Sequence, residues 1–350
     1  MPRRPSVTRV VATLAGAIAF GTTASQAQAD TTTLTLHHFL SPKSSTHAKF
    51  LKPWADRVAK ASGGRLKIEI FPSMSMGGKP PQLYRQVRDG TADMIWTVTG
   101  YTPGVFPRTE VFELPGVHGG SALATTRAIQ ARFDLIADDF KDIKPLLVHV
   151  HAGNSLHLTR GCIASIADVR GMKFRTPTRT GGWMISSWGA EPVGMPVPSL
   201  PQALSKGVID GALIPFEIVP PLKVHELTTC SVMLNQRKRF GTAVFLFAMN
   251  KERYAELADD LKAIIDANAG TNLAPEIGAL WDQSETLGEG IQSGTGSPIN
   301  PLSADVSAAF AKRHESVTAR WVEDVKSRGI DGAALVKAAV KAIAAHTPSQ

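Results

Sequence analysis

One short pattern occurs twice in this chain and constrains its fold more than any other feature. Asp89-Gly90-Thr91-Ala92-Asp93-Met94-Ile95 and Lys206-Gly207-Val208-Ile209-Asp210-Gly211-Ala212-Leu213 both run from a helix-ending glycine through two residues to an aspartate and an apolar strand. Glycine ends a helix at that place by entering the left-handed region at no steric cost. Each copy follows a strand and a helix of its own, so two α/β lobes of similar build are expected. Ligand sites favour the cleft between such lobes.

The start of the chain gives its address. Arg3, Arg4 and Arg9 precede an apolar run from Val10 to Phe20, and Ala27-Gln28-Ala29 offers a small-residue cleavage site before Asp30. Residues 1–29 read as a secretory signal peptide, too short to persist as a membrane span. No cysteine follows the cleavage site, so no lipid anchor is expected. No later segment has the unbroken apolar run of a membrane span, and the mature chain is expected to be soluble and periplasmic. Loss of the three arginines takes the net charge from +8 to +5, with 35 basic against 30 acidic residues. That surplus is spread out, which argues against nucleic acid as a partner and suits anionic solutes. Cys162 and Cys230 are bound for an oxidising compartment, where they form either a disulfide or two buried thiols; spacing does not decide.

The lobes can be followed along the chain. Thr33 to Phe39 reads as a first strand, and an amphipathic helix carries Phe50, Trp54, Val58 and Ala59 on one face. Arg65 to Phe71 is a second strand, Pro80-Pro81 opens a second helix, and Asp93 to Trp96 is a buried strand. Strand, helix, strand at these lengths predicts parallel pairing with a right-handed crossover. Ser199-Leu200-Pro201-Gln202 has the form of a capping box. After Phe247 the chain turns helical: Asn250 caps a helix through Ile265, another carries Leu273 to Trp281, Gly288 to Pro301 is expected to be a loop, and a long helix presents Phe310, Val317, Trp321 and Val325. The predicted class is α/β, a two-lobed periplasmic-binding-protein-like fold with a cleft between the lobes and long C-terminal helices. Residues 30–152 with about 240–278 are assigned to lobe I, 153–239 with about 279–330 to lobe II, and 331–350 to a C-terminal helical tail.

Catalytic patterns fail on inspection. His225-Glu226-Leu227-Thr228-Thr229 begins like a zinc-protease helix, but Thr229 stands where the second histidine is needed. Gly153-Asn154-Ser155-Leu156-His157 has histidine where a nucleophile elbow requires glycine. No phosphate-cradling loop or dinucleotide glycine fingerprint occurs. His149 and His151 share one strand face without a third ligand and are read as structural. No metal, cofactor or catalytic residue is expected.

Met172 to Arg175 reads as a short strand that Pro177 prevents from running on. Arg175 thus lies at the carboxyl end of a strand, where open α/β sheets place their ligand crevice. A guanidinium there can grip a carboxylate with two parallel hydrogen bonds. The run Ile166-Ala167-Asp168-Val169-Arg170-Gly171-Met172-Lys173-Phe174-Arg175-Thr176-Pro177 resembles the domain-linking segment of solute-binding proteins of tripartite ATP-independent periplasmic (TRAP) transporters, the DctP family. Gly189 to Pro196, Gly207 to Gly211, Gly63 to Pro72 and the Gly90 to Asp93 turn match the family in the same order, over nearly all the mature chain to about residue 325. The resemblance implies an extracytoplasmic receptor that closes on an organic acid and delivers it to a membrane permease pair driven by an ion gradient. It places the family's carboxylate-binding arginine at Arg175.

The departures bear on the ligand. Where the family usually has Gln-Glu-Asn-Pro, this chain has Ala212-Leu213-Ile214-Pro215, so isoleucine replaces a polar ligand contact. Where some members carry a second arginine, it has Asn154, Ser155 and His157. A dicarboxylate would lose polar anchors at both places, and a polar group unpaired in a closed cleft costs about 1–3 kcal/mol. Trp96, Tyr101, Phe174, Trp183 and Phe216 are candidates to line an apolar or aromatic pocket. The expected ligand is an apolar or aromatic monocarboxylate held by Arg175, with His37, His38 or Glu217 meeting a hydroxyl or keto group at its other end. The alternatives are a C4-dicarboxylate receptor of the same family, an exported enzyme, and a binding protein serving a sensor or an ATP-driven importer.

Overall fold

Two sheets share the chain, and each is built around a parallel strand pair. The structure, a computed structural model, describes Met1, Pro2, Pro5 and residues 31–348. The signal segment's basic and apolar runs and its cleavage site lie outside the described residues. In the first lobe β1 (Thr32–His38) runs parallel to β2 (Leu66–Phe71) on one side and β3 (Met94–Val98) on the other. Between them run α1 (Lys52–Ala61) and α2 (Leu83–Arg88). The α1 stretch buries Phe50, Trp54 and Val58 at helical spacing, the face expected from the sequence. After α3 (Ala122–Ala131), β4 (Ile143–Val150) ends the first passage through this lobe.

The chain then crosses to a second sheet. It contains β5 (Ser155–Leu158), β6 (Lys173–Thr176), β7 (Glu191–Gly194), β8 (Gly211–Ile214) and β9 (Cys230–Met233), with α4 (Arg179–Ser187) and α5 (Leu200–Ser205) in the connections. Strand β6 is parallel to β7 and β8, while β5 is antiparallel to β8 and β9. Strand β10 (Val244–Asn250) returns to the first sheet, inserted antiparallel between β3 and β4, with every residue buried. The remainder is α6 (Lys251–Ala255), α7 (Asp259–Ala267), α8 (Gly270–Gly294), β11 (Ile299–Pro301), α9 (Ala304–Lys326) and α10 (Gly332–Ala344). The first sheet has the order β2-β1-β3-β10-β4 and the second β11-β9-β5-β8-β6-β7. Cys162 and Cys230 form a disulfide. Among the described residues no helix is long and apolar enough to cross a membrane.

Three local expectations are corrected. Ser199 makes no side-chain cap; a short 3₁₀ turn, Val197–Ser199, precedes α5 instead. The helix capped by Asn250 breaks after Ala255 and restarts at Asp259. Gly288 to Gly294 is helical, where a loop was expected, because α8 runs on for 25 residues, about 37 Å at the α-helical rise. This helix packs on α3 and β4 in one lobe and on the Phe216–Ile218 turn in the other. Gly288 faces the Phe216 carbonyl so closely that a Cβ there would collide with it, so tertiary contact overrides the weak helical preference of glycine.

Candidate ligand-binding site

The two sheets face each other across a cavity lined from both sides. The first lobe supplies its aromatic wall. Trp96 lies in the middle of β3, stacked on Phe245 of β10 with centroids 4.8 Å apart, and Phe39 leans on it at 5.2 Å. The indole Nε1–H of Trp96 donates to His149 Nε2 at 3.0 Å. Its polar end is thereby satisfied inside the lobe, leaving an apolar ring toward the cavity. The second lobe contributes Ile214, Pro215 and Ile218. Both walls are predominantly apolar.

Arg175 enters from β6 and is 2% exposed. Its Nε donates to the Met195 carbonyl at 3.0 Å, Nη1 to the Leu213 carbonyl at 3.2 Å, and Nη2 to the Tyr101 hydroxyl at 3.4 Å. A guanidinium carries five N–H donors, so one on each terminal nitrogen is left over. Among the described residues no carboxylate lies within 4.0 Å of it. Burial pulls its pKa down from the ordinary value, and the Tyr101 oxygen opposes that shift. A buried cation without a counter-ion is costly, and an incoming anion removes that cost.

Three further polar side chains border the cavity. Asn154 is pinned where the lobes join: its backbone N–H donates to Gly241 at 2.7 Å, and its carbonyl accepts from Phe240 at 2.9 Å. Its side-chain Oδ1 is buried without a partner. His151 is held by its surroundings, with Nδ1 3.0 Å from the Gly153 N–H and 3.2 Å from Thr242 Oγ1, and Nε2 3.1 Å from the Ala243 N–H. Burial, then neighbouring charges that include Arg175, holds its pKa well below the usual value. Glu217 follows β8, and its carboxyl has no hydrogen-bond partner among the described residues. Burial first, and the nearby Glu285 carboxyl second, push its pKa up to about 8.

Arg175, Asn154, Trp96, Tyr101, Ile214 and Glu217 therefore meet at one cavity. The other sequence candidates lie outside its lining. His37 turns back into the first lobe, 2.8 Å from Gln86 Oε1, and His38 Nε2 lies 3.0 Å from His47 Nδ1. Phe39, the next residue, reaches the cavity in their place. The Phe216 ring sits against His157, 4.8 Å between centroids, with the Arg239 guanidinium 5.4 Å above it. Trp183 is held on α4 between Arg179 and Arg320. Sequence reasoning took His151 as structural and gave no role to Phe245, yet both line the cavity. The apolar run Val244 to Met249 of β10 carries no sign of which residues face a ligand and which face the core.

The family of bacterial extracellular solute-binding proteins, family 7 (DctP), matches residues 36–324. The chain belongs to that family. Among curated relatives of this family 7 protein is the outer membrane transporter protein TsaT of Comamonas testosteroni, 26% identical over 87% of this chain and 90% of its own. A TRAP solute-binding protein from a marine metagenome, described as specific for aromatic acid ligands and solved with 3-hydroxybenzoate, is 44% identical. It covers 91% of this chain and 100% of its own, with a TM-score of 0.88. A TRAP solute-binding protein of Rhodoferax ferrireducens solved with copurified benzoate is 41% identical over 90% of this chain and 98% of its own, with a TM-score of 0.87.

Proposed function

We propose that this family 7 protein is a periplasmic receptor that captures aromatic monocarboxylates and delivers them unchanged to a TRAP membrane permease driven by an ion gradient. The observation that carries the reading is Arg175: a buried guanidinium, unmatched by any carboxylate among the described residues, facing an aromatic wall across a mostly apolar cavity. An anionic head on a flat apolar body complements both features. Among the described residues no second cation lines the cavity, which disfavours a dicarboxylate. The benzoate and 3-hydroxybenzoate bound by the relatives belong to the favoured class. Residues 1–29 supply the export signal in this reading.

A thermal-shift screen of the mature protein, stripped of ligand by unfolding and refolding, tests it. A tight ligand stabilises the folded form by mass action. Benzoate or its ring-substituted relatives should raise the melting temperature more than succinate, sugars or amino acids, and the ligand should be recovered intact. A response to dicarboxylates alone would overturn the ligand class; a chemically altered ligand would point to an enzyme.

A further inference from the structure

We propose that Glu217 is the specificity-determining residue of the cavity, and that its carboxyl reads a hydroxyl on the ring of the bound aromatic acid. The inference rests on the aromatic-acid reading above and goes further, to hydroxylated members of that class.

Two buried groups of opposite kind border this cavity without meeting. Arg175 has spare N–H donors and Glu217 has unpartnered oxygens, yet no nitrogen of one comes within 4.0 Å of an oxygen of the other. Side chains so suited to pair would do so if they were adjacent. Both line the same cavity, so a ligand held there can touch both, and it then meets different chemistry at its two ends. The Arg175 end takes the carboxylate. The Glu217 end needs a group that can donate and accept, and a second carboxylate would meet a carboxyl there.

The backbone fixes Glu217 in this position. Its N–H donates to Glu285 Oε2 at 3.0 Å, and Glu285 belongs to α8, the helix that contacts both lobes. Glu285 is in turn 3.0 Å from the Arg239 guanidinium, which also donates to Glu289 Oε1 at 3.0 Å. Arg239 is thus occupied on the far side of Glu285, and Glu217 is left without a cation. Its raised pKa is consistent with a neutral carboxyl, which can donate through its O–H and accept through its carbonyl. Asn154 Oδ1 adds a second unpartnered acceptor beside the same cavity. A ring hydroxyl supplies the donor that benzoate lacks, and its oxygen can accept from the Glu217 O–H.

Isothermal titration calorimetry with benzoate, 3-hydroxybenzoate and 4-hydroxybenzoate tests the assignment. The wild-type protein should bind one hydroxybenzoate about tenfold more tightly than benzoate, the size of one added hydrogen bond. Glu217→Met should bring that ratio to near one. Glu217→Gln, which keeps a neutral donor and acceptor, should retain most of it, and its melting curve checks folding. Equal affinity of the wild-type protein for all three acids, or a full ratio surviving in Glu217→Met, would overturn the role of Glu217 and leave the aromatic-acid receptor standing. Failure of the wild-type protein to bind any of the three would remove that reading and this inference with it.

Discussion

Tyr101 and Arg175 meet across the cleft. The guanidinium Nη2 donates to the phenol oxygen at 3.4 Å, and that oxygen also accepts from the Val197 N–H at 2.8 Å. One residue follows β3 and the other lies on β6, so the contact joins the two sheets. With its oxygen accepting twice, Tyr101 still has its own O–H to give. A ligand carboxylate between them would receive donors from both lobes and so favour the closed form. Arg175→Ala is expected to weaken benzoate binding at least about a hundredfold, in line with ~3 kcal/mol for removing one partner of a buried charge pair. Arg175→Lys should lose less, through its single-point geometry, and Tyr101→Phe about tenfold. Calorimetric titration measures all three, and wild-type affinity in the alanine variant would remove Arg175 from the site.

Gly100 reports on closure by a route that leaves the ligand contacts in place. A Cβ at this position would lie 2.6 Å from Thr178 Cγ2 and 3.0 Å from the Pro177 carbonyl, both in the other lobe. Its φ lies outside the left-handed region, so a larger residue there is not strained by its backbone. Gly100→Val should therefore hold the lobes apart. Affinity should fall at least tenfold, because the ligand must work against a shifted open–closed equilibrium. Small-angle scattering would show the ligand-induced compaction reduced. An unchanged affinity would mean that the Thr178 segment yields freely.

The repeated turn was the most legible part of the molecule. Gly90 and Gly207 have φ of +74° and +65°. Asp93 accepts from the Thr35 N–H and Asp210 from the Lys173 N–H, each at 2.8 Å, so each aspartate ties its strand to the parallel neighbour. A local pattern with a local physical job can be read from sequence. The place of Arg175 at a proline-limited strand end was legible in the same way, while the ligand role expected of it came from the family resemblance. Phe39 and Phe245 were not, because reaching the cavity depends on sheet pairing made far along the chain. His37 and His38 show the same limit, since Gln86 and the Met76 N–H take the ring nitrogens of one, and His47 and the Leu40 N–H those of the other, inside the lobe. The helical run through Gly288 also depends on a distant partner, the Phe216 carbonyl.

The Cys162–Cys230 disulfide closes a long loop, its cysteines 68 positions apart, and ties the segment before β6 to β9. Such a cross-link stabilises chiefly by restricting the unfolded chain, typically by about 2–4 kcal/mol. Cys162→Ser with Cys230→Ser should lower the urea unfolding free energy by that amount, and reductant should do the same to the wild-type protein. Since neither cysteine lines the cavity, benzoate affinity measured well below the unfolding midpoint should stay within about threefold of wild type. A larger loss of binding would show that the bridge shapes the second lobe's face.

Stability should peak near neutrality because two sets of buried groups act in opposite directions. Burial holds His38, His149 and His157 at about 3, and His118 and His314 at about 4. The native state binds fewer protons there than the unfolded chain, so this stability is complete above the ordinary value of 6.5 and is lost as pH falls toward 4. Glu113 and Glu217 behave in the opposite sense. Burial first, with a neighbouring carboxyl second, pushes both up to about 8, so their contribution is complete below 4.5 and lost as pH rises through 8. Between 4.5 and 6.5 the histidines outnumber these carboxyls, and stability should climb; above 6.5 the carboxyls act alone, and it should decline toward 8. Urea midpoints of the ligand-free protein at pH 5, 6.5 and 8 would show the maximum at the middle value. Glu217→Gln should flatten the alkaline limb, because it removes a group that must ionise in a buried site. A midpoint that kept rising to pH 8 would mean that Glu113 and Glu217 are already ionised in the native protein.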